Sequence, residues 1–140
     1  MTSSSTTSTP ARVVPEAVHS DDAPAAVGAY SQAVRAGDLV FVSGQLPLDP
    51  ATGELAGPDV RDEAVQSLRN AAAVLAAAGS GTDRVVKTTV LLTDIDDFAV
   101  VDEAYAEVFS GGVLPARAAY AVAALPKGAR VEVELVAVVA

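Results

Sequence analysis

The sequence contains no cysteine and one histidine, and this scarcity removes most metal and thiol chemistry. Without cysteine there is no disulfide, no thiolate nucleophile and no cysteine-based zinc or iron–sulfur site. His19 cannot form a metal site alone, and its polar neighbours favour a solvated imidazole over a ligand or catalytic role. The acidic run that starts at Asp94 has Ala99 and Tyr105 where a calcium-binding loop needs glycine and glutamate. We therefore expect no metal ion.

Basic residues are also scarce, and long apolar runs are absent. Nine Lys and Arg stand against 18 Asp and Glu, which gives a net charge of −9. This balance predicts no binding to nucleic acid or to an anionic membrane, so an anionic ligand must be held by a local positive group. No apolar run approaches the ~20 residues of a membrane-spanning helix. The first ten residues lack the basic and apolar regions of a secretory signal. We expect a cytoplasmic protein.

Apolar residues are abundant, at 51% of the 140 residues. The length predicts a single domain with a real core, which we place at residues 12–140, after a disordered Ser/Thr-rich tail at residues 1–11. Many of the apolar residues are alanine and valine. We expect part of this apolar surface to meet another subunit.

The spacing of apolar and turn-forming residues predicts the element order ββ, α, β, α, ββ. The predicted elements are a short edge strand at 12–15, a hairpin of strands at 33–35 and 39–43, a helix capped by Asp59 and ended by Gly79, an interior strand at 85–93, a helix capped by Asp97, and two extended segments within 114–140. Residues 135–140 are apolar on both faces, which predicts a central strand. The layer rule then predicts an α+β two-layer sandwich, with one mixed sheet of about six strands and both helices on one face.

The last two segments flank a Pro-Lys-Gly turn and place charges inside apolar runs. Arg117 shares a strand face with Ala119, and Arg130 shares one with Glu132 and Glu134, because side chains alternate along a strand. One interpretation puts these charges on a solvated sheet face, and the pattern alone favours it. The other makes Arg117 an anchor for an anionic ligand, with a nearby glutamate as a base.

Gly44 follows Ser43 at the end of a predicted strand. A glycine at this place marks either a bulge or turn, which is the commoner cause, or a close approach of a ligand or another chain to the backbone. The sequence leaves both open.

Several short motifs, in order over about residues 21–138, resemble the RidA (YjgF) family of enamine/imine deaminases. They are Ala-Pro-Ala-Ala-Val-Gly-Ala-Tyr-Ser-Gln at 23–32, Val-Ser-Gly-Gln-Leu-Pro at 42–47, Thr-Gly-Glu at 52–54, Val-Lys-Thr-Thr-Val at 86–90, Asp-Asp-Phe at 96–98, Pro-Ala-Arg at 115–117 and Val-Glu-Val-Glu at 131–134. The resemblance implies a chorismate-mutase-like fold assembled as a homotrimer, with sites between neighbouring subunits. It also implies a cofactor-free 2-iminobutanoate/2-iminopropanoate deaminase-type hydrolase that converts 2-aminoacrylate-type enamines and 2-imino acids to 2-keto acids and ammonia, a role in metabolite damage control.

The resemblance also implies roles for five residues. Arg117 matches the family's carboxylate-binding arginine, and Glu132 matches the glutamate that handles water. Tyr30, Ser43 and Gly44 match residues that line the pocket. The chemistry is consistent with this, because a guanidinium can hold the substrate carboxylate with two parallel hydrogen bonds while a base takes a proton from the attacking water.

Two departures from the family pattern bear on the site. Asp102 stands where active members commonly have Asn, and a carboxylate there would oppose an anionic substrate or shift its own pKa if it faces the cleft. Ala119 stands where many members have Cys, a thiol that the implied mechanism does not use.

Three hypotheses follow for this chain. The first is an imine deaminase. The second is a non-catalytic member that binds a small carboxylate as a sensor or stabilises a partner, which would need Arg117 but not Glu132. The third makes Arg117 and Glu132 an ion pair between subunits. The sequence does not decide whether these two residues meet within one chain or across an interface, or what Glu134 does.

Overall fold

The strand predicted to be central, β6 (Val131–Val138), lies in the middle of a six-stranded sheet. The structure is a computed structural model that describes residues 12–139, so the predicted tail at residues 1–11 lies outside the described residues. The other strands are β1 (Glu16–Val18), β2 (Ala33–Ala36), β3 (Leu39–Gln45), β4 (Val85–Leu92) and β5 (Ala116–Ala121), and the sheet order is β1-β2-β3-β6-β4-β5. All neighbours are antiparallel except β4 and β5, which are parallel.

Two helices, α1 (Val60–Ala77) and α2 (Phe98–Val108), pack against each other and cover one face of the sheet. The alternation along β6 separates the two faces. Its buried side chains belong to the core with the helices and are Val131, Val133, Leu135 and Ala137. The residues between them point to the opposite face, which we call the open face. The predicted α+β two-layer sandwich with one mixed sheet is confirmed.

The ends of α1 are those predicted from the sequence. The Asp59 carboxylate accepts a hydrogen bond from the backbone N–H of Asp62 at 2.9 Å, which satisfies one of the free donors of the first turn. Gly79 follows the last turn with φ +80°, a left-handed conformation that suits glycine. The predicted cap of α2 is right in position but not in function. Asp97 directly precedes the helix, yet it already has helical backbone angles and makes no capping bond, because a 3-10 turn (Ile95–Asp97) capped by Asp94 precedes the helix.

The N-terminal edge strand exists, but its predicted bounds of 12–15 are wrong. The strand, β1, begins at Glu16, directly after the predicted segment, and pairs with β2 in the register Ala17 to Val34. Pro15 has no backbone N–H to donate to a sheet, so the ladder starts only after it.

The two C-terminal segments do not form a hairpin. β4 lies between β5 and β6, and β5 runs parallel to β4 at the edge of the sheet. Parallel neighbours need a crossover connection, and α2 supplies it, so β4, α2 and β5 form a β-α-β unit. The turn at Pro126–Gly128 therefore leads from an edge strand to a central strand two positions away.

A buried ion pair joins α1 to the start of β6. The Glu63 carboxylate, 3% exposed, accepts hydrogen bonds from the backbone N–H of Arg130 at 2.7 Å and from Arg130 Nε at 2.6 Å. Arg130 Nη2 also donates to the backbone carbonyl of Pro58 at 2.9 Å. The prediction that Arg130 shares a face with Glu132 and Glu134 is wrong, because Arg130 precedes β6 and its side chain turns towards α1.

Within residues 12–139, no helix is long and apolar enough to cross a membrane.

Candidate active site

A cleft of about 880 Å³ lies where the ends of β3 and β6 meet the loop before β2. Four residues that were predicted as site residues line it: Tyr30, Ser43, Gly44 and Glu132. Glu134 lines it as well, together with Pro126 and Lys127 from the turn before β6.

A β-bulge places Ser43 and Gly44 in this cleft. Val42 pairs with Leu135 and Gln45 pairs with Val133, so two residues of β3 lie opposite a single residue of β6. Of the two causes considered for Gly44, a bulge or turn and a close approach to the backbone, the commoner one, a bulge, is therefore present.

A close approach to Gly44 also exists, and it comes from the same chain. A Cβ atom at Gly44 would lie 2.4 Å from Glu132 Oε2 and 2.8 Å from its Cδ. Any side chain at this position would displace the Glu132 carboxylate. Gly44 is thus required for the observed placement of Glu132.

The Glu132 carboxylate is half-buried, and this burial raises its pKa. The negative charge of Glu134, two residues along the same strand face, raises the pKa further. Glu132 is therefore a stronger proton acceptor, when ionised, than an ordinary glutamate. Such a group is suited to general base work near neutral pH.

Tyr30 and Ser43 occupy different depths of the cleft. The Tyr30 side chain stands at the mouth and is about half exposed, at 52%. The Ser43 hydroxyl donates to the backbone carbonyl of Ser31 at 2.6 Å, so towards a ligand its oxygen can act only as an acceptor while this bond is kept.

Gln32 positions the loop that carries Tyr30, a role that the sequence analysis missed. Its side chain is buried, accepts from the backbone N–H of Ser20 at 2.6 Å, and donates to the carbonyls of Ser20 and Pro24 at 3.0 and 2.8 Å. The signal in the sequence that could have revealed this role was a polar side chain directly before an apolar strand. It ties two irregular segments to the start of β2.

Arg117 lies elsewhere, on the helix face of the sheet. It pairs in register with Thr88, which is fully buried and hydrogen-bonded to the Tyr105 hydroxyl of α2 at 2.8 Å. The guanidinium lies over the rings of Tyr105 and Phe98, with centroid distances of 4.8 and 5.2 Å. Arg117 Nη1 donates to Asp102 Oδ1 at 2.5 Å.

One chain therefore does not bring Arg117 and Glu132 together. Glu132 stands between the buried residues Val131 and Val133, so it points to the open face, whereas Arg117 points towards α2. Arg117 pairs with Asp102 instead.

The remaining residues considered in the sequence do not line the cleft; they are Asp102, Ala119 and His19. Asp102 faces Arg117 from α2, and Ala119 packs half-buried against the core two residues beyond Arg117. His19 Nε2–H donates a hydrogen bond to Asp21 Oδ1 at 2.8 Å on the exposed surface, apart from the cleft. No three acidic or histidine side chains among residues 12–139 are grouped so that they could hold a metal ion.

The chain is similar in sequence and fold to several known proteins. A family model described as Endoribonuclease L-PSP matches residues 20–139. The 2-iminobutanoate/2-iminopropanoate deaminase of Rattus norvegicus is 52% identical over 126 residues, which cover 90% of this chain and 91% of the relative. The solved structure of RidA from an Antarctic Psychrobacter is 46% identical with a TM-score of 0.84, covering 89% and 99% of the two chains. E. coli TdcF with bound serine is 40% identical with a TM-score of 0.85, covering 89% and 99%.

Proposed function

Because this chain belongs to the RidA/YjgF family, we propose that it hydrolyses reactive 2-imino acids and their enamine tautomers to 2-keto acids and ammonia. The observation that carries the proposal is the half-buried Glu132 carboxylate, held over Gly44 in a cleft that Tyr30 and Ser43 also line. The name of the rat relative supports the same reaction.

The complete site in this proposal lies between subunits of a homotrimer. Arg117 and Glu132 leave opposite faces of the sheet, so a cleft that uses both needs Arg117 from a neighbouring copy. The open face supports such packing, because its β3 residue Phe41 is 45% exposed and lies beside Val136 in a shallow groove. A native mass near three times the 14.1 kDa of one chain is the expected result.

Arg117 holds the substrate carboxylate. Nη1 is engaged by Asp102, whereas Nε and Nη2 have no hydrogen-bond acceptor among residues 12–139. These two groups form one edge of the guanidinium and can donate two parallel hydrogen bonds to a carboxylate. The rings of Phe98 and Tyr105 hold the guanidinium plane in place, so the orientation of the substrate is set.

Glu132 activates the attacking water. The ionised carboxylate accepts a proton from the water as the water oxygen forms a bond to the carbon of the protonated imine; the C=N π electrons move to nitrogen, and a neutral carbinolamine results. Glu132 then returns this proton to the carbinolamine nitrogen. As the C–N bond breaks, the hydroxyl group gives its proton to the Glu132 carboxylate, ammonia leaves, and the 2-keto acid remains. General base assistance of this kind is typically worth about 10²–10⁴-fold in rate. These steps need water, one arginine and one carboxylate, and no cofactor.

The test follows imine loss directly. The purified protein is added to an amino-acid oxidase or threonine dehydratase reaction, and the remaining imine is trapped with semicarbazide. We expect faster imine loss with the wild type and little acceleration with Arg117→Ala or Glu132→Gln. No acceleration by the wild type, or full activity of Arg117→Ala, contradicts the deaminase proposal.

Ligand binding and native mass, measured beside this assay, separate the other two hypotheses. A non-catalytic carboxylate-binding protein would bind 2-oxobutanoate without turnover, and Glu132→Gln would not change that binding. If Arg117 and Glu132 only paired across an interface, Arg117→Ala would lower the native mass together with the activity. A cytoplasmic location stays a prediction.

A further inference from the structure

The carboxylate of Asp102 lies in the site around Arg117 that is proposed to bind the substrate carboxylate. We propose that Asp102 is a specificity-determining residue that favours a zwitterionic ligand, the protonated 2-imino acid, over the fully anionic 2-keto acid. This inference rests on the proposed function, since it concerns how the same site tells substrate from product.

The geometry holds Asp102 and Arg117 as one unit. Phe98, Asp102 and Tyr105 lie three or four residues apart on α2, so they share one face of the helix. All three contact the guanidinium of Arg117: Asp102 by a 2.5 Å hydrogen bond and the two rings by their faces. The side chains are 29% exposed at Arg117 and 44% exposed at Asp102, so the pair is reachable by a ligand from one side.

The charge of the unit decides which ligands it favours. The guanidinium and the Asp102 carboxylate together carry no net charge, so the site does not attract an anion as a free arginine would. A ligand carboxylate on the Nε–Nη2 edge of Arg117 shares that guanidinium with Asp102, and the two carboxylates repel each other. This repulsion weakens binding less if the ligand also carries a positive group.

The chemistry of substrate and product differs at that point. A protonated 2-imino acid is neutral overall and carries N–H donors next to its carboxylate. Asp102 Oδ2 makes no hydrogen bond with residues 12–139 and is able to accept one from such a donor. A 2-keto acid has a net charge of −1 and presents an acceptor oxygen instead. Asp102 therefore attracts the substrate, by accepting a hydrogen bond from its N–H donor, and repels the anionic product. This repulsion speeds the release of product.

The test compares two ligands that do not react. Binding of 2-oxobutanoate, which is anionic, and of 2-aminobutanoate, which is zwitterionic, is measured by calorimetry for the wild-type trimer and for Asp102→Asn. We expect the ratio of the two Kd values to shift by about tenfold in favour of 2-oxobutanoate in the variant, which corresponds to about 1.4 kcal/mol. Asp102→Ser provides a second variant without the charge, and it should shift the ratio in the same direction.

The matched control is Glu103→Gln. Glu103 is the next residue of α2, is exposed, and lies near Arg61, not Arg117. The Glu103→Gln substitution removes one negative charge from the same helix, and it should leave the ratio of the two Kd values unchanged.

A ratio that stays within about twofold in both Asp102 variants, or that shifts equally in Glu103→Gln, overturns the proposal. If neither the wild type nor any of the variants binds either ligand, the proposal is overturned too. Because neither ligand reacts, the result does not depend on turnover. An absence of imine hydrolysis with a shifted ratio refutes the deaminase proposal alone, whereas hydrolysis with an unchanged ratio refutes the role of Asp102 alone.

Discussion

Arg117 and Glu132 point to opposite faces of one β-sheet. Arg117 stands on the edge strand β5 against α2, and Glu132 stands on the central strand β6 in a cleft of the open face. A site that needs both residues must therefore take them from different copies of the chain. In the proposed inter-subunit site, each subunit would contribute Arg117 to one site and Glu132 to another, so activity would depend on assembly.

Mixing two inactive variants tests this arrangement. Arg117→Ala and Glu132→Gln are each expected to lack activity. When they are refolded together in equal amounts, about one interface in four combines an intact Arg117 with an intact Glu132 from two different chains, so about a quarter of the wild-type activity returns.

The control for this experiment uses residues of the same chain. Gly44 and Glu132 touch within one subunit, so mixing Gly44→Ala with Glu132→Gln should give only the mean of the two separate activities. If Arg117→Ala and Glu132→Gln also give no more than their mean, the inter-subunit site is wrong.

Gly44→Ala should displace the Glu132 carboxylate without unfolding the protein. The new Cβ would lie 2.4 Å from Glu132 Oε2, which is the movable end of a side chain, so the carboxylate shifts and the backbone stays. A displaced base lowers kcat/KM, and we expect a loss of about 10–100-fold.

The matched control is Gly111→Ala, because a Cβ at Gly111 meets no atom within 4 Å and its backbone is not in the left-handed region. Steady-state kinetics of both variants are compared with thermal unfolding. Wild-type kcat/KM in Gly44→Ala would show that the position of Glu132 is not critical.

The acid side of the pH–rate profile should report on Glu132. Burial and the charge of Glu134 both raise the pKa of Glu132, so the base becomes protonated at a higher pH than an ordinary glutamate and kcat/KM falls as the pH drops through that value. Glu134→Gln removes one of the two causes and lowers the pKa of Glu132. The acid limb of the profile then moves to lower pH.

Glu103→Gln on α2 is the control for this shift, since Glu103 does not line the Glu132 cleft of its own chain and pairs with Arg61. An acid limb that stays in place in Glu134→Gln, or that moves to higher pH, would exclude Glu132 as the titrating base.

The ion pair between Glu63 and Arg130 should contribute to stability. Glu63→Ala leaves the backbone N–H and the Nε–H of Arg130 without their acceptor, while Nη2 keeps the Pro58 carbonyl. Loss of one partner of a buried pair costs about 3–5 kcal/mol, and because Arg130 is 40% exposed we expect a smaller loss of about 2 kcal/mol in the free energy of unfolding.

Urea unfolding at a fixed protein concentration measures this loss, since an oligomer's stability depends on concentration. Asp83→Ala, which removes an exposed pair with Arg84, is the control and should cost less than about 1 kcal/mol. An equal effect of the two substitutions would mean that the Glu63–Arg130 pair adds little.

Local patterns predicted the elements well where the signal lies within the element itself. α1 shows its apolar spacing, its Asp59 cap and its Gly79 end in consecutive residues. The apolar residues on both faces of β6 predicted a central strand, and the sheet order confirms it. The predictions that failed depended on what the neighbouring residues do: Asp97 lies inside a turn that starts earlier, and Pro15 delays the first strand.

Residue types and their spacing were enough to predict candidate site residues: an arginine and a pair of glutamates in apolar strands, and a glycine at a strand end. Which of these residues lie together became visible only in the folded chain. Strand pairing is non-local, so nothing near Arg117 in sequence shows that β4 separates β5 from β6 or that the arginine turns to the helix face. For the same reason, the contact of Asp102 with Arg117 and that of Gly44 with Glu132 appear only in the folded chain.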